Sequence, residues 1–166
     1  MRYAGIIKND ISAAPGVCVS FFTQGCPHRC PGCHNPETWD FEGGRPLTAD
    51  AIDEVIDALN ANGIDRSLCI MGGEPLCDEN LFTVSYLIED IRKIYPDKKI
   101  FLWTGYTMEE LQKRIEDYGE NDFRTICLHY IKDNICCLID GRYEKDKRDI
   151  TLVMRGSTNQ NIIYFD

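Results

Sequence analysis

Cys26, Cys30 and Cys33 lie in the stretch GCPHRCPGCHN (Gly25–Asn35) with the spacing C-x3-C-x2-C. Thiolates grouped in this way are first of all metal ligands. Structural zinc takes four ligands, and iron–sulfur clusters are commonly held by four cysteines, so the loop is one ligand short of either. Two readings stand. A zinc site needs a fourth partner, for which Cys77, His28 and His34 are nearest, although His28 lies inside the loop and His34 directly beside Cys33. Alternatively, three thiolates hold a [4Fe–4S] cluster and leave one iron open, as a catalytic metal keeps a position free for substrate or cofactor.

A second motif, MGGEP (Met71–Pro75), follows an apolar run. Gly72 and Gly73 permit close backbone approach and unusual φ values, so main-chain groups there can meet a ligand's ammonium. Glu74 supplies charge or pins the loop; the plainer alternative is a tight turn after a strand. The chain has nine cysteines, an odd number that disfavours a disulfide framework. Cys18, Cys69, Cys127, Cys136 and Cys137 sit in apolar, strand-like runs and read as core. Adjacent Cys136 and Cys137 are expected on opposite faces of a strand. Cys77 follows the glycine turn and is a candidate neighbour of the site.

The elements that must position these residues alternate in type. VCVSFFTQ reads as a strand leading into the cysteine loop, SLCIM as a second strand punctuated by GGEP, and KKIFLWTG as a third. Between them, Thr48 caps a helix with Ile52, Val55, Ile56 and Leu59 inward. Asp78 is expected to cap another, buried through Leu81, Val84, Leu87, Ile88, Ile91 and Ile94. Thr107 and Glu110 fit a capping box, with Gly119 as the stop. FRTICLHYI is ambiguous between helix and strand; NICCLIDG, ITLVM and IIYF read as strands. This alternation predicts βαβ units, a parallel sheet and an open partial β/α barrel, because a closed eightfold barrel needs about 250 residues. The cysteine loop, GGEP, WTGY and DGRY each follow a predicted strand and are expected on one face.

At 166 residues, residues 1–166 are read as one domain. No apolar run approaches a membrane span, and Lys8, Asn9 and Asp10 interrupt any secretory apolar core, so a cytoplasmic location with no membrane partner is expected. A net charge of −9 argues against a nucleic-acid partner.

The cysteine motif together with MGGEP resembles the radical S-adenosylmethionine superfamily. GCPHRCPGCHNPETW, MGGEPL, WTGYTMEEL, LIDGRY and RGSTNQ, in that order over essentially the whole chain, resemble the family that activates anaerobic ribonucleoside-triphosphate reductase. The resemblance implies an α/β fold of the radical S-adenosylmethionine type, an open partial (β/α) barrel. It implies that Cys26, Cys30 and Cys33 carry a [4Fe–4S] cluster, and that a low-potential electron donor reduces it. It implies that S-adenosylmethionine is held at Gly32, Cys33, His34, Gly72, Gly73 and Glu74 and cleaved to a 5′-deoxyadenosyl radical. It also implies that the partner is the reductase, on which a glycyl radical is left. The position before the third cysteine is Gly32, where many superfamily members carry an aromatic residue, so His34 is the nearest ring for adenine. The rival readings are a radical enzyme acting on a small molecule, such as a deazapurine carboxylate synthase, and a non-catalytic zinc or iron–sulfur module. Trp103, Thr104, Gly105, Tyr106, Asp140 and Gly141 are further candidates at strand ends. Asn35 is a candidate holder of the cysteine loop. Arg155, Ser157, Asn159 and Gln160 form a polar cluster, in which Arg155 suits carboxylate recognition or a protein interface.

Overall fold

A computed structural model describes residues 1–165. Seven strands form one sheet in the order β3-β1-β2-β4-β5-β6-β7. They are β1 (Arg2–Asp10), β2 (Cys18–Thr23), β3 (Arg45–Pro46), β4 (Ser67–Gly72), β5 (Ile100–Trp103), β6 (Cys137–Asp140) and β7 (Asn161–Tyr164). The helices are α1 (Ala49–Leu59), α2 (Asp78–Ile94), α3 (Met108–Tyr118) and α4 (Phe123–Asn134).

The sheet is mixed rather than parallel throughout, which corrects the sequence expectation. β2, β4, β5 and β6 run parallel, joined through helices. β1 pairs antiparallel with β2, β3 antiparallel with β1, and β7 antiparallel with β6. The short connection from Asp10 to Cys18 cannot make the long crossover that a parallel pair needs. The sequence reading missed β1 altogether: Lys8 and Asn9 are exposed, so its outer end carries no apolar signal.

Period-two alternation splits the central strands between two cores. Val19, Phe21, Leu68, Ile70, Ile100, Leu102 and Leu138 face the helices and pack with Val55, Leu59, Leu81, Val84, Ile88, Leu111 and Leu128. Cys18, Cys69, Phe101, Cys137 and Ile139 point the other way, under Ala13 and Ala14 of the β1–β2 connection. Cys136 lies just before β6 and packs partly against this same second cluster, not on an opposed face. Cys127 is in a helix: FRTICLHYI is α4, because Cys127, Leu128 and Ile131 recur at helical spacing. Asp122 caps it by accepting from the Arg124 amide at 2.8 Å.

Thr48 caps α1, Thr107 and Glu110 form the capping box of α3, and Gly119 ends that helix at φ +85°. The expected Asp78 cap is a correction: Cys77 holds the N-cap position of α2 and Asp78 is its first residue. Asp78 instead accepts from Arg114 at 2.6 Å and Tyr118 at 2.8 Å. ITLVM is also not a strand. The Asp149 carboxylate accepts from the amide and hydroxyl of Thr151, and Met154 takes φ +61°, so the chain curls into a loop.

Ile70→Ala, at a fully buried position of β4, is expected to lower the unfolding free energy by about 2–5 kcal/mol. Ile126→Ala, on the exposed side of α4, is expected to change it by no more than about 0.5 kcal/mol. Urea unfolding checks both; equal losses would contradict the assignment of the helix-covered face.

Candidate functional site

The four loops expected on one face do meet there. They surround a cavity of about 380 Å³ lined by Cys26, His28, Cys30, Cys33, His34, Asn35, Met71, Gly72, Gly73, Glu74, Trp103, Thr104, Gly105, Gly141 and Tyr143, with the segment from Leu152 to Gln160 completing the wall.

The cysteine loop is closed at its base by backbone bonds. The Gly25 amide donates to the Thr38 carbonyl at 2.8 Å, and the Cys26 amide to the Trp39 carbonyl at 3.1 Å. The buried Gln24 side chain donates to the Glu37 and Asp40 carbonyls at 3.0 and 2.7 Å. Asn80, buried at the start of α2, donates to the carbonyls of Gln24 and Glu74, both at 3.0 Å, and so ties this loop to the glycine turn. Asn35 holds the loop as expected: its amide donates to Cys33 Sγ at 3.4 Å and its carbonyl accepts the Thr38 hydroxyl at 2.7 Å.

All three loop thiols are free; Cys26 is buried, Cys30 and Cys33 half-buried. Burial pushes the Cys26 thiol's pKa up, opposed by backbone amides of His28 and Arg29. Burial likewise raises that of Cys30, opposed by the Tyr143 amide. Amides directed at sulfur favour the thiolate that a metal binds. Among the described residues no three Cys, His, Asp or Glu side chains already converge at metal distance.

The candidate fourth ligands are occupied otherwise. Cys77 is buried away from the cavity and its thiol donates to the Glu74 carbonyl at 3.1 Å, with burial pushing its pKa up. His28 Nδ1 accepts from Arg142 Nε at 3.2 Å, which leaves Nε2–H to donate to Glu74 Oε2 at 2.9 Å. His34 is exposed and lies tilted against the Tyr143 ring, centroids 5.5 Å apart. The donor set therefore fits a cluster held by three thiolates, with soft ligands only.

Glu74 is fully enclosed and pins the turn. Oε1 accepts from the Leu76 amide at 2.9 Å and the Thr104 hydroxyl at 2.6 Å; Oε2 accepts from the Gly105 amide at 2.7 Å besides His28. The Arg142 guanidinium continues the network to Glu110, at 2.8 and 2.9 Å. Glu74 lines the cavity with both carboxylate oxygens matched by protein donors, which fits the loop-pinning role read for it from the sequence.

Gly72 and Gly73 line the cavity and are also squeezed by the fold. A Cβ on Gly72 would lie 2.8 Å from Phe22 Cα, and one on Gly73 would collide with the Gly25 carbonyl. The Gly73 amide donates to the Thr23 carbonyl, so carbonyl oxygen is what this turn offers an ammonium. Gly32 turns the loop at φ +76° against Tyr143 and Lys145, between the cavity-lining Cys30 and Cys33.

Of the other candidates, Trp103 lines the cavity and donates through Nε1 to the Met154 carbonyl at 2.8 Å. Tyr106 stands edge-on to His28, centroids 4.5 Å apart, and burial pushes its pKa up to about 12. Asp140 is structural: it accepts from the Met108 amide at 2.9 Å and the Asn161 side chain at 2.9 Å. Asn159 and Gln160 donate to the Arg142 and Gly141 carbonyls, at 2.8 and 2.9 Å, and so fasten the tail to DGR. Arg155 lines the cavity; its Nη1 donates to the Gln160 carbonyl at 2.9 Å, while its buried Nε has no partner. Sequence reasoning missed His28 as a hub, Arg142 as its partner, Tyr143 as the neighbour of His34, and Trp39, whose buried indole N–H has no partner beside the cavity. The alternation of DGRY was the signal for the middle two.

The chain matches the 4Fe-4S single cluster domain family over residues 13–163. It is 35% identical over 161 residues to the anaerobic ribonucleoside-triphosphate reductase-activating protein of Escherichia coli (strain K12), covering 96% of each chain. It is 35% identical over 166 residues to the protein of that name in Vibrio cholerae, covering 99% of each. It is 34% identical over 162 residues to the one in Enterobacteria phage T4, covering 98% of this chain and 93% of that one.

Glu74→Gln is expected to destabilise the fold by about 1–3 kcal/mol, since the amide nitrogen faces a backbone N–H, Leu76 or Gly105, whichever way it is turned. Urea unfolding measures this, and an unchanged midpoint would contradict the network.

Proposed function

Because the chain belongs to the 4Fe-4S single cluster domain family and to the anaerobic ribonucleoside-triphosphate reductase-activating proteins, we propose that it activates an anaerobic ribonucleoside-triphosphate reductase by generating a glycyl radical on it. The observation that carries this reading is the cavity itself: three free thiols line it, the candidate fourth ligands Cys77 and His28 are bonded elsewhere, and the glycine turn packs against the base of the cysteine loop. When bound, a [4Fe–4S] cluster supplies the electron that cleaves S-adenosylmethionine to a 5′-deoxyadenosyl radical, the species that takes a hydrogen atom from the reductase glycine.

The chain's own residues bind and position. Cys26, Cys30 and Cys33 would hold the cluster, and the cavity beside them would take S-adenosylmethionine. Carbonyls of Gly72 and Gly73 suit its ammonium. Arg155, a cavity-lining guanidinium that no ion pair among the described residues engages, suits its carboxylate. His34, which lines the cavity and lies tilted against Tyr143, is read as the ring that meets the adenine. The mixed sheet, with β3 and β7 as its edges, is read as the open partial barrel of the radical S-adenosylmethionine type. No helix among the described residues is long and apolar enough to cross a membrane. A low-potential electron donor is required, and the site is expected to work in the cytoplasm.

Anaerobically reconstituted protein is expected to give a glycyl radical signal by electron paramagnetic resonance only when mixed with the reductase, S-adenosylmethionine and a reductant. Formation of 5′-deoxyadenosine with no radical on the reductase would favour a small-molecule substrate. One zinc and no sulfide by elemental analysis would favour a binding module. Cys30→Ala is expected to abolish cofactor cleavage. Arg155→Ala is expected to weaken S-adenosylmethionine binding to the reconstituted protein about tenfold, near 1.4 kcal/mol by titration calorimetry; unchanged affinity would remove Arg155 from the site.

A further inference from the structure

One part of the cavity wall is apolar. Ala13, Met71, Trp103 and Met154 all line the cavity, and all four lie in or against the second core. The strand register builds this part. Cys69 and Ile70 of β4 pair with Phe101 and Leu102 of β5, so Met71 comes level with Trp103, which in turn pairs with Ile139 of β6. Alternation along each strand then puts Met71, Trp103 and Ile139 on the same side as Cys69, Phe101 and Cys137. Trp103 is held there by its own hydrogen bond. Its Nε1–H donates to the Met154 carbonyl at 2.8 Å, so what the indole has left for the cavity is its π surface.

A ligand carrying a positive charge finds no free carboxylate in this wall. Glu74 is the only acidic residue among the described ones that line the cavity, and both its oxygens accept from protein donors. A cation in apolar surroundings is met instead by the face of an aromatic ring, tryptophan best, and the attraction grows as water is excluded. The other rings of the wall are engaged elsewhere. His28 is bonded to Glu74 and Arg142, and His34 lies against Tyr143. Trp39 belongs to the base of the cysteine loop, where its carbonyl accepts from the Cys26 amide at 3.1 Å. Trp103 alone stands among apolar side chains beside the glycine turn: Met71, level with it on the neighbouring strand, directly precedes Gly72.

Resting on the reading that this cavity takes S-adenosylmethionine, we propose that Trp103 determines specificity for the ligand's sulfonium: the indole face attracts the positive sulfur, and a neutral thioether gains nothing from it. The chemistry of the ligand fits the spacing of the wall. Its sulfonium is joined to the amino-bearing carbon by a short methylene link. A ligand whose ammonium is met by carbonyls of the glycine turn therefore carries its second positive charge close to that turn, where Trp103 stands. The tie to Met154 fixes the ring in advance, so little ordering cost remains for binding.

The test compares two ligands by titration calorimetry on the anaerobically reconstituted protein. One is S-adenosylmethionine; the other is S-adenosylhomocysteine, which keeps the amino, carboxylate and adenosine groups but has a neutral sulfur. Trp103→Leu is expected to lower the affinity for S-adenosylmethionine about tenfold and to leave that for S-adenosylhomocysteine within about twofold of the parent. Trp103→Phe keeps a ring face but has no N–H for the Met154 carbonyl. It is expected to lose severalfold, again for the charged ligand alone, and it decides the matter if the leucine variant fails to fold. A purely structural role, holding Met154 through the N–H, would weaken both ligands together and equally in both variants; that result overturns the proposal. So does an equal loss of both ligands in Trp103→Leu that Trp103→Phe restores, which would make the ring a stacking surface for adenine. Parent-level affinity for S-adenosylmethionine in both variants overturns it too. A parent protein with an assembled cluster that binds neither ligand overturns the S-adenosylmethionine reading itself, and this assignment with it.

Discussion

The structure depends most on one buried carboxylate. A charge removed from water is costly unless each lone pair meets a donor, and Glu74 meets this requirement with groups from three different segments. Leu76 belongs to its own turn, Thr104 and Gly105 follow β5, and His28 stands in the cysteine loop. Through His28 the network reaches Arg142 after β6 and Glu110 at the start of α3. Loops at strand ends otherwise answer only to their own strands. Here the position of each is fixed by the others, so a site assembled from four separate stretches of chain acts as one rigid wall.

The glycine turn serves the same constraint from the backbone side. Gly72 and Gly73 are bare because Phe22 and Gly25 leave no space for a side chain, and this close fit brings Glu74 inward under the cysteine loop. Ligand approach and backbone packing therefore require the same two residues. The turn presents main chain to the cavity and holds its single carboxylate between the cysteine loop and the segment after β5.

Local rules were legible wherever a residue acts on its own neighbours. The Thr107–Glu110 capping box, the Gly119 stop and the Asn35 hold on the cysteine loop are short-range and appear in the structure as read. So do the strand-end positions of the four loops around the cavity. What sequence could not yield is long-range. Nothing near Glu74 indicates that Thr104 will donate to it, and nothing near His28 indicates Arg142. β1 was hidden because its exposed end is polar, and ITLVM misled because apolar residues suggest a strand whether they are buried or, as with Ile150 and Val153, exposed. Gly32 was assigned to the cofactor by its place in the motif, while its neighbours in space are Tyr143 and Lys145.

A chain with nine cysteines must also keep a metal from the wrong ones, and burial achieves this. Cys18, Cys69 and Cys137 are sealed inside the second core; burial pushes the pKa of Cys69 well up and that of Cys137 up to about 11. All three are out of reach of a metal, and the raised pKa values keep Cys69 and Cys137 protonated, whereas only a thiolate binds metal. Burial also raises Cys26 and Cys30, but there backbone amides of His28, Arg29 and Tyr143 oppose it, and the sulfurs border a cavity into which iron can enter. A bound metal then displaces the proton outright. On the proposed reading that Cys26, Cys30 and Cys33 hold the cluster, selection from nine cysteines follows the cavity as well as the motif's spacing, because these three thiols border it while Cys18, Cys69, Cys77 and Cys137 are buried away from it.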